Sequence, residues 1–255
     1  MADYVEVRGL KIGDGIPKIC VPVVGTTAQE ITEAAHTVKK AEPDVVEWRA
    51  DWFDGVEDET QLRAVLKKLR NIFGEIPLLF TFRTAEEGGE RQLGTEAYVH
   101  LNRTAVESGC VDLIDVELFL GDTVVKDLIA CAHAKGVKVI ASNHDFHKTP
   151  DLDTIIKRLF WMEELGADIK KIAVMPESRA DVLTLLAATE KAAEKINGPI
   201  ITMSMAGMGL ISRICGETFG SALTFGTAGK ASAPGQMDAK DLRQVLTLLH
   251  ENMAE

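Results

Sequence analysis

Eight short apolar runs, each followed by a stretch with helical spacing, recur from Lys18 to Asn252, and few folds accommodate such a rhythm. The runs are Lys18–Val24, Asp44–Arg49, Pro77–Arg83, Val111–Leu118, Val137–His144, Lys171–Met175, Pro199–Met205 and Ala222–Phe225. Helical spacing follows over Thr27–Ala41, Glu57–Phe73, Gly94–Ser108, Asp122–Lys135, Asp151–Leu165, Ser178–Ile196, around Leu210–Thr218, and Asp238–Asn252. Gly74, Gly136, Gly166 and Asn197-Gly198 punctuate the ends of four of these stretches. The runs are apolar on both faces, as strands of a parallel sheet covered on both sides must be. Eight such units in 255 residues predict a closed parallel (β/α)8 barrel, the TIM-barrel architecture. A doubly wound open sheet is the rival, but Val24-Gly25-Thr26-Thr27 lacks the G-x-G-x-x-G turn that usually follows its first strand. Residues 1–16 alternate weakly (Val5, Val7, Leu10, Ile12) around Gly9 and Gly13, which predicts a short N-terminal β-hairpin. No linker, low-complexity run or charge block interrupts the rest, so 1–255 reads as a single barrel domain.

Charge narrows the partner. Lys and Arg number 28 against 39 Asp and Glu, a net charge of −11 that argues against nucleic acid or an anionic membrane surface. A local pocket can still take an anionic small molecule. No apolar run approaches the roughly 18 residues of a membrane span, and Met1-Ala2-Asp3-Tyr4 has no basic or apolar leader. Cys20, Cys110, Cys131 and Cys215 form no C-x-x-C pair, so neither a disulfide framework nor a zinc site is indicated. These features describe a soluble cytoplasmic protein.

Polar residues in one strand phase point to the chemistry. Side chains alternate across a strand. Glu47 and Arg49 share the phase of Val45, Thr81 and Arg83 that of Leu79, Asp115 and Glu117 that of Leu113, and Ser142 and His144 that of Ile140. The opposite phases carry bulky apolar residues suited to packing under helices. In the sixth run, Ile172 and Val174 take the helix-facing phase and leave Lys171 pointing into the barrel, while Lys170 faces the other way. A lysine here is either a solvated strand edge or a working group. Buried beside Arg49, Arg83 and Arg213, its charged form is disfavoured, which makes the amine a nucleophile for carbonyls. The imine formed acidifies the neighbouring C–H, and His144 on the adjacent strand suits its transfer near neutral pH. The arginines would hold a carboxylate, with Ser232 and Gln236 on substrate oxygens. His147 competes with His144 as the base but falls beyond the strand. Gly226-Thr227-Ala228-Gly229-Lys230 hints at an anion loop without P-loop spacing.

These residues resemble the type I 3-dehydroquinate dehydratase family of the shikimate pathway. Asp115-Val116-Glu117-Leu118, followed after 20 residues by Val139-Ile140-Ala141-Ser142-Asn143-His144-Asp145, is similar to the family signature. Glu47-Trp48-Arg49, Phe82-Arg83-Thr84, Glu87-Gly88-Gly89, Lys171 to Pro176, Ile211-Ser212-Arg213 and Ala231 to Gln236 resemble its other motifs. The resemblance implies a homodimeric barrel without metal or cofactor whose substrate is 3-dehydroquinate. It implies that Lys171 forms a Schiff base with the ketone. His144 would move the proton in a syn elimination of water to 3-dehydroshikimate, oriented by Glu87. Arg213, Ser232 and Gln236 would bind the carboxylate, Glu47, Arg49 and Arg83 the ring hydroxyls, and the Ser232–Gln236 loop would close as a lid. The family's lysine often follows a Pro, where this chain has Lys170; Pro22 stands where some members have Ser, so no first-strand contact carries over. Two other readings remain: a Schiff-base aldolase acting on sugar phosphates, and a non-catalytic sensor of carboxylated polyols.

Overall fold

A computed structural model describes residues 4–229 and 235–253. Its first element is the expected hairpin, β1 (Val5–Val7) paired antiparallel with β2 (Leu10–Ile12). Arg8 and Gly9 both turn with positive φ, 49° and 77°. That pair of conformations matches the right-handed twist of a two-residue hairpin. Arg8 is held there by Asp112 at 2.6 Å and Glu75 at 2.8 Å.

Eight parallel strands follow: β3 (Lys18–Val23), β4 (Val45–Arg49), β5 (Leu78–Thr81), β6 (Leu113–Glu117), β7 (Lys138–Asp145), β8 (Ile169–Val174), β9 (Ile200–Ser204) and β10 (Leu223–Thr227). β3 to β9 pair in sequence order, and β10 pairs back with β3. The remaining seam, between β9 and β10, closes just ahead of β10, where Ile200 bridges Ser221 and the Ala222 N–H donates to the Ile200 carbonyl at 2.8 Å. Ser221 Oγ also accepts from the Thr202 N–H at 3.0 Å. The sheet is therefore the closed barrel the rhythm predicts. A two-residue strand not foreseen, β11 (Met237–Asp238), extends β10 in parallel.

The outer ring consists of α1 (Ala28–Lys39), α2 (Glu59–Phe73), α3 (Thr95–Glu107), α4 (Asp122–His133), α5 (Leu152–Glu164), α6 (Arg179–Ala193), α7 (Ile211–Ile214), α8 (Gly216–Phe219) and α9 (Ala239–Met253). Side chains of Thr27, Asp58, Asp151 and Ser178 accept first-turn N–H groups of α1, α2, α5 and α6. The single helix expected around Leu210–Thr218 is instead two one-turn pieces broken at Cys215, whose ψ of 16° leaves the helical range. β8 also begins two residues before the expected Lys171, at Ile169.

Two apolar layers follow from the alternation. Val46, Trp48, Phe80, Ile114, Ile172 and Val174 face the helices. Cys20, Val45, Leu79, Leu113, Ile140, Ile169, Ile201 and Leu223 face inward and form a floor, to which the hairpin adds Val7 and Ile12. Ile12 is fully buried, worth about 1.5–3 kcal/mol for a side chain of that size. The hairpin thus plugs the lower end of the barrel. Above this apolar floor, the next inward positions are Glu47, Thr81, Asp115, Ser142 and Lys171.

Candidate active site

Above the floor, at the strands' C-terminal ends, lies a cavity. Glu47, Arg49, Arg83, Glu87, His144, Lys171, Arg213 and Gln236 all line it, with Met203, Met205 and Phe225 as apolar wall. Ser232, Ala233 and Pro234 of the expected lid and Lys230 of the glycine-rich loop fall in 230–234, outside the described residues.

Lys171 is the third residue of β8 rather than its first, with its backbone opposite Ser142 of β7 and Ala173 opposite His144. It therefore sits one inward step below the histidine. Its Nζ is 3.3 Å from Asp115 Oδ2 and 4.6 Å from the centre of the Phe225 ring. Lys170 is not the solvated edge that the sequence offered as the plain alternative. It is as buried as its neighbour, on the helix side, and its Nζ donates to the Asn197 carbonyl at 2.5 Å. Burial pulls the Lys170 ammonium below its ordinary pKa, against the attraction of Glu163 and Asp168.

Asp115 joins the cationic groups. It is fully buried, with Oδ1 accepting from Arg83 Nη2 at 2.7 Å and from Ser142 Oγ at 2.6 Å, and Oδ2 facing Lys171. Burial alone would raise its pKa, but Arg83, Lys171 and the Ser142 hydroxyl hold it below the ordinary carboxylate value. Arg83 Nη1 donates in addition to Glu117 at 3.0 Å, to Ser142 Oγ at 2.9 Å and to Glu87 at 3.4 Å. Despite burial, these carboxylates push the Arg83 guanidinium well above its usual pKa. The family resemblance gives Arg83 to ring hydroxyls; it lines the cavity and is at the same time the hub of the site's charge network. Arg49 donates two parallel bonds to Asp51, each 2.8 Å. Asp51 also accepts the Glu90 N–H at 3.1 Å, tying the β4 end to the loop that carries Glu87. Glu47 accepts from Thr81 Oγ1 at 2.9 Å.

That loop depends on glycine. Gly88 takes a φ of +82°, and a Cβ there would meet the Phe146 ring at 2.3 Å; a Cβ on Gly89 would lie 1.9 Å from the Arg83 carbonyl oxygen. The close approach places Glu87 Oε2 2.9 Å from both His144 Nδ1 and the His144 N–H, which donates to it. With Nδ1 on the carboxylate, Nε2 is the nitrogen left for proton transfer. Burial, reinforced by Arg83, Lys171 and Arg49, drives the imidazole well below its usual pKa, so the ring is neutral at pH 7. His147 is exposed and its N–H donates to Asp145, so His144 and not His147 reaches the cavity.

Arg213 enters from α7. Ser212 Oγ fixes that turn, accepting the Ser204 N–H at 2.9 Å and donating to the Gly209 carbonyl at 2.7 Å. Burial lowers the Arg213 pKa to about 10, which leaves it cationic at neutral pH.

Asp115, Glu117 and Ser142 received no role from the sequence although their inward phase was legible in it. Asp51 lies just past its strand, where alternation gives no direction, and no pattern signals it. Among the described residues, no group of three His, Cys, Asp or Glu side chains is arranged to hold a metal, and no helix is long and apolar enough to cross a membrane.

The family described as Type I 3-dehydroquinase matches residues 19–253. A 3-dehydroquinate dehydratase of Listeria monocytogenes serotype 4b (strain F2365) is 56% identical over 97% of this chain and 98% of its own. Its counterpart in Clostridioides difficile (strain 630) is 52% identical over 99% of this chain and its entire length, 100%. Among solved structures, the Clostridium difficile type I 3-dehydroquinate dehydratase with covalently modified comenic acid superimposes with a TM-score of 0.96 at 52% identity, over 99% of this chain and 100% of that one. The Geobacillus kaustophilus HTA426 3-dehydroquinate dehydratase gives a TM-score of 0.96 at 40% identity, over 99% and 98%.

Proposed function

The chain belongs to the type I 3-dehydroquinase family, and from that premise we propose that it converts 3-dehydroquinate to 3-dehydroshikimate through an imine on Lys171. One observation carries the reading: the buried Lys171 and the neutral, carboxylate-held His144 share one cavity with Arg213.

The steps follow from that arrangement. Neutral Lys171 adds to the ketone carbon, loss of water leaves an imine, and a proton taken up from solvent, given back on hydrolysis, makes it the protonated imine. Asp115, 3.3 Å away, remains as counter-charge to the cation throughout. The imine draws electrons from the adjacent carbon, so its proton passes to His144 Nε2 and the electron pair forms an enamine. The enamine electrons then expel the hydroxyl one carbon further on, and His144 returns the proton to it as water leaves. Hydrolysis of the conjugated imine takes back the water released when the imine formed. Lys171 and His144 end as they began, and the net change is loss of one water. Donation and return of the proton by the same imidazole suit elimination on one face of the ring. Arg213 anchors the substrate carboxylate, with Gln236 and Ser232 beside it. Glu47, Arg49 and Arg83 face the ring hydroxyls. The protein is further proposed to act as a homodimer in the cytoplasm.

Borohydride added with 3-dehydroquinate tests the reading. Reduction of the imine should fix a covalent adduct on Lys171 and abolish turnover, which is followed by the absorbance of the enone product. Adduct on Lys170, or turnover that survives borohydride, refutes it. Sedimentation equilibrium decides the dimer.

A further inference from the structure

The histidine's carboxylate is itself held from outside the barrel. Asn143 lies on the helix-facing phase of β7, next to His144, and is buried. Its Oδ1 accepts from Arg158 Nη1 of α5 at 2.8 Å, and its Nδ2 donates to Glu87 Oε1 at 3.2 Å. A guanidinium has donors and no acceptor. The bond to Arg158 therefore decides which end of the Asn143 amide is oxygen, and the NH2 is left to face Glu87. Arg158 is anchored in turn over the Phe119 ring, 5.3 Å from its centroid, and Phe119 packs edge-on against Trp161.

We propose that Arg158 is a positioning residue for the dehydration: by fixing the Asn143 amide it keeps Glu87 a carboxylate and His144 in the tautomer that carries its proton on Nδ1. This inference rests on the reaction proposed above. Its consequence lies in proton count. With one proton on the His144–Glu87 pair, Nδ1–H donates to the carboxylate and Nε2 is bare, ready to accept the substrate proton. A second proton removes that base in either of two ways. It makes imidazolium, or it makes a carboxylic acid that donates to Nδ1 and leaves the ring proton on Nε2.

Surrounding charges decide which form the second proton takes. Arg83 from the β5 end, Lys171 from β8 and Arg49 from β4 all oppose imidazolium, as does burial. Burial pushes Glu87 up to about 8, with Glu117 and Asp115 of β6 adding to the rise and Arg83 and the Asn143 amide opposing it. The pair therefore loses its base through protonation of Glu87. The Asn143 donor resists this, and an amide turned over would aim its oxygen at the carboxylate and favour it. Asp145 and His147 face the same outer groove as Arg158, where solvent screens them.

The test compares Arg158→Leu and Arg158→Lys with the parent enzyme. The acid limb of kcat against pH should rise by about one unit in Arg158→Leu, the size expected for losing a donor to a buried carboxylate, with KM little changed. Arg158→Lys, which keeps a donor, should restore the parent limb. Imidazole 15N spectra of the resting proteins, followed through the Glu87 value of about 8, supply a readout that needs no substrate: the change of His144 from Nδ1–H to Nε2–H as pH falls should come about one unit higher in Arg158→Leu than in the parent. Superimposable spectra overturn the proposal. So does a kcat loss equal at every pH, which is what a merely structural role produces. If the parent fails to turn over 3-dehydroquinate, the functional reading falls while the spectra still decide the tautomer. Should Arg158→Leu not fold, Arg158→Met carries the same comparison.

Discussion

Replacing Asp115 by Asn keeps its shape and removes its charge, and the surrounding bonds set the cost. All three partners of its carboxylate are donors: Arg83 Nη2 at 2.7 Å, Ser142 Oγ at 2.6 Å and Lys171 Nζ at 3.3 Å. An amide offers one oxygen, so in either orientation its NH2 points at a group that can only donate or is already cationic. Removing one side of a buried ion pair costs about 3–5 kcal/mol, a large share of the ~5–15 kcal/mol that holds a typical protein folded. At about 2–4 °C of melting temperature per kcal/mol for a chain of this size, Asp115→Asn should melt roughly 6–20 °C lower at pH 7. The pH dependence has a definite sign. The folded carboxyl is held below its ordinary pKa, so its contribution is complete above the unfolded value near ~4 and is lost as pH falls through the lower folded value. The gap between parent and variant should therefore be constant from roughly pH 6 to 8 and narrow only in acid. Scanning calorimetry at several pH values measures it. A variant melting within about 2 °C of the parent at pH 7 would refute the network's assigned weight, and a gap that closes between neutral pH and pH 6 would refute the sign.

Two further substitutions separate the lysine pair and the two stages of the reaction. Lys170→Met should leave turnover unchanged and lower stability by about 1 kcal/mol, the worth of a bond such as that to the Asn197 carbonyl; urea titration and the enone assay read the two quantities, and loss of activity at unchanged stability would contradict the assignment. His144→Ala should still trap substrate on Lys171 under borohydride yet lose about 100- to 10,000-fold in kcat, and unimpaired turnover would remove the histidine from the mechanism.

What the sequence made legible follows from which constraints are local. Strand alternation is local, so the inward phase of Glu47, Asp115, His144 and Lys171 could be read without coordinates, and the structure has Val45, Leu113, Ile140 and Ile169 beneath them facing the same way. Bond partners are not local. Arg83 was legible as an inward arginine but not as the centre of a network, because the carboxylates that meet it, Asp115, Glu117 and Glu87, come from elsewhere along the chain. Lys170 looked solvated because an ammonium is seldom buried, but its stem lies under the helices while its head reaches a loop carbonyl 27 residues on. Asp51 belongs to the same class, since its direction comes from a turn after β4 and its purpose from Arg49 and Glu90. A buried ion in a barrel is chosen by its neighbours around the ring, and neighbours around the ring are distant along the chain. The inward phase therefore nominates candidates, and only the register of the sheet sorts those that face substrate from those that hold the others in place. Lys171 and Asp115 illustrate the division: both face inward, and the 3.3 Å between them makes Asp115 the counter-charge of the lysine proposed as the nucleophile.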